Sequence, residues 1–262
     1  MDIQRTVISH DTGALRTNEN IRQKDVVFGN GRLVLVAPGE PCKISVCHGS
    51  ARDTQTYECD VGACAWIIAC QERATARLPT NRPYKLIEEG DLCCILAFVD
   101  VALNTAHVQA VAPTRVCCEP VPDHASNTIE QLGQWLTLAV MQGGSDNALL
   151  HHLRRQESYA LAHYLMRSPA EGAHLNELCV AYGLSYSHFR RLCRRSLGTA
   201  IKSRLRTWRA ARTVLDIVES DESILQIAVG NGYTSASHVS TDIKQLFGFT
   251  PRTARNARDL LP

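Results

Sequence analysis

Between residues 26 and 118 the apolar positions come in short runs separated by turn residues, a pattern of strands rather than helices. Val26-Val-Phe28 leads into Gly29-Asn-Gly31, a hairpin signal, and Arg32-Leu-Val-Leu-Val-Ala37 follows before Pro38-Gly39. Further strands are predicted at Cys42–Cys47, Cys64–Cys70 and Tyr84–Ile87. Glu89-Gly-Asp91 reads as a turn into the apolar run Leu92–Val99, and His107–Ala112 and Thr114–Cys118 close the series. Many short strands at this spacing predict a β-sandwich or small barrel. Glu119-Pro-Val-Pro-Asp123 then breaks the pattern, and a helical period takes over.

Thr128 to Met141 carries Ile129, Leu132, Trp135, Leu136, Ala139 and Val140 on one helical stripe. Gln142 to Asn147 is a stop, and Ala148 to Met166 is a second amphipathic stretch that ends before Ser168-Pro169. These two stretches either pair as dimerisation helices or cover the β-domain. Further on, one helical design appears twice. Leu175 to Arg195 and Ile224 to Lys244 each hold a short amphipathic helix, a glycine (Gly183, Gly232), a serine fit to cap (Ser185, Ser235) and a second amphipathic helix. That is the layout of a helix-turn-helix, whose second helix can enter the DNA major groove. Between the copies, residues 199–218 form one long helix with Ile201, Leu205, Trp208, Ala211, Val214, Leu215 and Val218 as its apolar stripe. Arg204, Arg206, Arg209 and Arg212 lie off that stripe. Twenty helical residues span ~30 Å, close to the ~34 Å repeat of B-DNA, so such a rod can set both modules on one duplex face.

The predicted fold is therefore α+β. A β-rich, sandwich- or barrel-like N-terminal domain precedes an all-α C-terminal domain with two helix-turn-helix motifs (175–196 and 224–247) joined by a long helix. The expected boundaries are a tail over 1–25, a regulatory or partner domain over 26–122, a helical linker over 123–154 and a DNA-binding domain over 155–262.

Charge sharpens this division. The net charge of +2 hides an acidic front and a basic back: residues 151–262 hold 16 Lys+Arg against 9 Asp+Glu, leaving 12 and 17 for residues 1–150. A basic module concentrates around phosphate backbones. Fourteen of those 16 are arginine, the residue suited to bidentate contacts with phosphate or guanine. No stretch has transmembrane length and no leader pattern opens the chain, so a cytoplasmic location is expected, with no membrane partner.

Nine of the 11 cysteines precede residue 119, and none forms C-x-x-C. The spacings of Cys42/Cys47 and Cys59/Cys64 put each pair on opposite strand faces, so the cysteines read chiefly as small core residues. His10, His48, His107 and His124 lack metal-ligand spacing. No G-x-S-x-G, P-loop, dinucleotide fingerprint or H-E-x-x-H occurs, so neither an enzyme nor a cofactor is expected.

In the first module Phe189, Leu192 and Cys193 fall on the inward face, leaving Tyr186, Ser187, His188, Arg190, Arg191, Arg194 and Arg195 outward. Ser187, Arg190 and Arg191, in the first two turns, are the candidate base contacts; Arg194 and Arg195 suit phosphates. In the second module Val239 and Ile243 point inward, while Ala236, Ser237, His238, Ser240 and Thr241 point out and Lys244 is the only basic residue. Asp242 adds a negative charge there, so this module is expected to contribute less. In the terminal helix Arg252, Arg255 and Arg258 form a stripe that either touches phosphates or is merely solvated.

The C-terminal residues resemble the DNA-binding domain of the AraC/XylS family of bacterial transcription regulators. The resemblance rests on Ile227-Ala228, Gly232-Tyr233, Ser235, Ser237-His238, Ser240, Lys244, Phe247-Gly248 and Thr250-Pro251, with Tyr182 to Ser185, Phe189, Arg191-Leu192 and Gly198. Val239 and Ile243 stand where that family often has aromatics. More narrowly, Tyr186 to Cys193 and Arg206 to Arg212 look like the InvF/MxiE-type activators of type III secretion genes. That resemblance implies an activator of virulence genes that binds double-stranded promoter DNA and RNA polymerase, with a secretion chaperone as co-activator and with homodimers among its forms. It places Ser187, Arg190, Arg191, Ala236, Ser237 and Thr241 at base-reading positions. The alternative keeps the fold and makes the N-terminal domain a sensor of a small ligand or of redox state through its cysteines.

Overall fold

A computed structural model describes residues 23–49, 53–59, 64–105, 115–143, 147–168, 175–198 and 201–258. Eight strands come first: β1 (Gln23–Phe28), β2 (Arg32–Val36), β3 (Cys42–His48), β4 (Thr54–Cys59), β5 (Cys64–Cys70), β6 (Ala74–Pro79), β7 (Tyr84–Glu88) and, after helix α1 (Glu89–Ala102), β8 (Val116–Pro122). They form two four-stranded sheets in the orders β1-β6-β3-β4 and β7-β2-β5-β8, with every recorded pair antiparallel.

The second sheet is a middle layer, which explains the near-continuous apolar runs of β2 and β5. Val34, Val36, Ile68, Cys70 and Val116 face the first sheet and pack on Val26, Phe28, Ile44, Val46, Ala76 and Leu78. Leu33, Leu35, Ala65, Ile67, Ala69, Cys117 and Val121 face the other way, onto helices. The α+β sandwich expected from the sequence is thus the architecture found.

Several local expectations are corrected. The run Leu92–Val99, expected as a strand, lies within helix α1. Leu92, Cys93, Cys94, Leu96 and Ala97 are all buried, because α1 is wedged between the middle sheet and further helices, so no polar face marks it as helical. Gly29-Asn-Gly31 is not a hairpin but a crossing between sheets: β1 pairs with β6, whereas β2 pairs with β5 and β7. All three residues have positive φ (85°, 52° and 92°), and a Cβ on Gly29 would lie 1.9 Å from the Glu72 carbonyl oxygen. Glu119 to Pro122, expected to end the β-region, belongs to β8, the last strand of its sheet among the described residues, a position where proline is tolerated. Strands β4 and β6 were not expected; β4 is polar and mostly exposed, whereas β6 alternates through small residues, Ala74 and Ala76, and ends at Pro79. The expected strand at 107–112 and residues 1–22 of the expected tail lie outside the described residues.

Helices α2 (Ile129–Met141), α3 (Ala148–Arg154) and α4 (Glu157–Arg167) follow a short 3-10 turn at Asp123–Ala125. The stretch expected to be one helix from Ala148 is thus two, broken at Arg155-Gln156. All three pack on α1 and so cover the β-domain. A buried polar knot fastens this layer. Asp100 on α1 accepts both arms of Arg154 (2.8 and 2.7 Å), the Tyr159 hydroxyl (2.7 Å) and the Thr105 hydroxyl (2.9 Å). Burial alone would raise its pKa; the Arg154 and Tyr159 hydrogen bonds outweigh it and hold the carboxyl below its ordinary value.

The C-terminal helices are α5 (Leu175–Ala181), α6 (Tyr186–Leu197), α7 (Ile201–Glu219), α8 (Ile224–Gly230), α9 (Ala236–Phe247) and α10 (Pro251–Arg258). The core between the middle sheet and α1–α4 runs without interruption into α5, α6 and Trp208 of α7. A separate core gathers Ala210 and Ile217 of α7 with Ile227, Ala228, Tyr233, Val239, Ile243 and Ala254. Among the described residues no helix is long and apolar enough to cross a membrane, and no group of three His, Cys, Asp or Glu could hold a metal ion.

Candidate nucleic-acid interface

The first module is α5, a turn and α6. At the turn Gly183 takes φ 82°, the Gly183 N–H donates to the Val180 carbonyl (3.0 Å) and the Leu184 N–H to the Cys179 carbonyl (3.0 Å). Phe189, Leu192 and Cys193 are buried as expected, with Phe189 tilted on Tyr182 at 5.6 Å. Burial pushes the Cys193 thiol up to about 11, so it is a packing group. Ser185 sits at the N-cap in extended conformation, but its side chain makes no capping bond; its hydroxyl lies 3.5 Å from that of Ser187. The expected cap is therefore a cap in position only. Ser187, His188, Arg190, Arg191, Arg194 and Arg195 are all exposed on the opposite face. Among the described residues none of the four arginines is in an ion pair; Arg190 only lies over the Tyr186 ring, 5.7 Å from its centre.

The second module is built the same way. Ser223 and Gln226 form a capping box at the start of α8, and Ser235 accepts from the His238 N–H (3.3 Å) at the start of α9. Val239 and Ile243 are fully buried. Ser237, His238, Thr241 and Lys244 are exposed and Ala236 is half-buried. The outward hydroxyls are turned back on their own helix: Ser240 donates to the Ala236 carbonyl (2.9 Å) and Thr241 to the Ser237 carbonyl (3.0 Å). His238 shares a hydrogen bond with the Thr234 hydroxyl (2.7 Å). The face of α9 thus offers small groups, His238 and one lysine, in contrast to the arginines of α6.

The linking helix α7 has nineteen residues, about 28 Å at the helical rise. Its four arginines, expected to stud an outward face, are instead engaged within the protein. Arg204 bonds Asp91 (2.7 Å) and the Leu197 carbonyl (3.2 Å), tying α7 to the start of α1 and the end of α6. Arg206 reaches Asp242 on α9 (2.9 and 2.7 Å). Arg209 donates to the Gly232 carbonyl (3.3 Å) and lies over the Tyr233 ring, and Arg212 pairs with Asp216 (3.0 Å). Asp242, expected to disfavour DNA, is thereby neutralised. In α10 Arg255 donates to the Glu222 carbonyl (2.6 Å) and Arg252 is exposed.

The cysteines also come together differently from the sequence spacing. Cys42 and Cys59 are direct cross-strand partners, their thiols hydrogen bonded, and Cys59 also meets Cys118 of the other sheet. The Cys118 hydrogen bond and burial push Cys59 up to about 12, and burial pushes Cys93 and Cys117 well above the ordinary range. Such thiols are poor nucleophiles at neutral pH.

Comparison with known proteins agrees with this geometry. Residues 178–257 match the family described as a helix-turn-helix domain. The invasion protein InvF of Salmonella typhimurium is 35% identical over 191 residues, 72% of this chain and 88% of that protein. The transcriptional regulator MxiE of Shigella flexneri is 39% identical over 106 residues, 40% of this chain and 50% of that protein. Among solved structures, ToxT from Vibrio cholerae O395 aligns with a TM-score of 0.39 at 9% identity, over 91% of this chain and 98% of that one. The chain belongs to the AraC/XylS family of DNA-binding transcription regulators, in the group that contains InvF and MxiE.

Proposed function

We propose that the protein activates type III secretion genes by binding their promoters through both modules and recruiting RNA polymerase, with a secretion chaperone as co-activator received by its N-terminal half. In this reading Ser187, Arg190 and Arg191 read bases, Arg194 and Arg195 hold phosphates, and His188 lines the same face. Ala236, Ser237, His238, Thr241 and Lys244 make the smaller contribution of α9. The observation that carries the reading is the row of exposed arginines on α6, none in an ion pair among the described residues, set on a helix whose other face is fully packed. A row that served only solvation would not need the turn and core that aim it. The work would be done in the bacterial cytoplasm, at the nucleoid.

The test is co-purification from the native host followed by DNA footprinting of the protein alone and of the complex. Protection of two segments one helical turn apart, stronger with the partner, is expected; sequence-independent protection would remove the reading. A second reading, control by a small molecule, is favoured by a cavity of about 390 Å³ where α1, α4, α5 and α7 meet, lined by Phe98, Leu165, Leu178, Leu205 and Trp208 among others. That is within the range of ligand pockets. A thermal-shift screen of apolar metabolites decides it: a binder whose effect Ala102→Trp abolishes would favour control by a ligand.

A further inference from the structure

We propose that Arg206 and Asp242 form a positioning pair that fixes the rotation of α9 on α7, and so the register of the second module on DNA. The inference rests on the DNA-binding reading above and adds to it a residue that touches no nucleic acid. Apolar contacts between α7 and α9 through Ala210, Val239 and Ile243 hold the helices together but are non-directional. A guanidinium on a carboxylate is directional, because its planar fork accepts few geometries.

Here both Nε and Nη2 of Arg206 converge on Asp242 Oδ1, and Nη2 also donates to Gln245 Oε1, one turn further along α9. The other Asp242 oxygen accepts from the Tyr233 hydroxyl (3.3 Å). Tyr233 in turn lies under the Arg209 guanidinium, 5.5 Å from its ring centre, and Arg209 donates to the neighbouring Gly232 carbonyl. The linker, the turn and α9 are therefore joined in one chain of polar contacts, Arg206–Asp242–Tyr233–Arg209. Asp242 lies beside the outward Thr241 and the inward Ile243, at the border between the reading face and the core. Any rotation of α9 that re-aims Ser237 and Thr241 must break the fork. In the first module α6 carries no acidic residue, and α7 reaches it among the described residues through Arg204 and the Leu197 carbonyl.

The experiment uses the full chain, DNA selected in vitro from a random pool by the wild-type protein, and hydrogen exchange of α9 as a readout that needs no DNA. Arg206→Glu should raise exchange in α9 while sparing α6. It should also weaken protection of the second half-site about tenfold, the size of one lost charge-assisted contact, and leave the first half-site unchanged. The reversed pair, Arg206→Glu with Asp242→Arg, should restore both. Wild-type exchange and footprint in Arg206→Glu, or a reversed pair as loose as the single variant, would overturn the proposal. If Arg206→Glu fails to fold, Tyr233→Phe replaces it and must give a smaller rise in α9 exchange; no rise would equally overturn it. If the wild-type protein selects no sequence, the DNA-binding reading fails, while the exchange arm still decides the pair.

Discussion

Arg191 and Arg206 are both exposed arginines on amphipathic helices, yet their surroundings give them different tasks. Arg191 has no ion-pair partner among the described residues, while Arg206 is held by Asp242. Arg191→Ala should cost about 1–3 kcal/mol at the selected site and relax one base preference; equal losses on selected and random DNA, measured by competition binding, would refute a base contact. Arg195→Ala should weaken all sequences alike and reduce the salt slope by about 1. Asp100 makes a stability prediction of another kind. Its native pKa lies below its ordinary value, so its contribution is present above the unfolded pKa of about 3.9 and is lost as pH falls through the lower native one. Asp100→Asn should cost about 3 kcal/mol at pH 7 by stranding Arg154 and should flatten the fall of Tm between pH 4 and 2. A variant melting with the wild-type acid dependence would show that the carboxylate contributes little. Neither the Asp100 knot nor the Arg206 pair was legible in the sequence, since their partners lie 54 and 36 positions away.

At the scale of elements, legibility followed how many faces each segment buries. The helices α6 and α9 have one packed and one open face, so their period, turn glycines and inward residues could be read directly. Helix α1 is packed on nearly every side, and eight apolar residues in a row look alike as strand or helix. Strand β4 failed for the opposite reason: Thr54–Cys59 keeps most of its residues exposed on an edge strand. The outward residues of α6 were read correctly because nothing nearby competes for them, whereas those of α7 were claimed by acids and carbonyls from distant segments. Helix α1 also makes a specific demand. A Cβ at Gly90 would lie 2.5 Å from the Ser196 carbonyl oxygen, at the end of α6. Gly90→Val should therefore destabilise by about 1–3 kcal/mol through forced separation of the two helices. Thermal melting measures it, and an unchanged Tm would mean that this junction yields freely.

Seen whole, the molecule divides its two reading modules unequally. The first shares one continuous core with α1–α4 and the middle sheet, while the second closes a core of its own around the far half of α7. Local openings follow the extent of shared packing, so amides of α8–α10 should exchange sooner than those of α6 in native-state hydrogen exchange. Simultaneous exchange of both modules would contradict that division. The backbone contact between Gly90 and Ser196, with the Arg204 bridge to Asp91 beside it, gives the asymmetry a direction. Whatever presses on the front of the molecule is felt at once by the arginine-bearing helix, whereas its companion hears of it only along the length of the connecting rod. A regulator wired this way would tune how firmly it grips one half of its site while leaving the other half a passive follower.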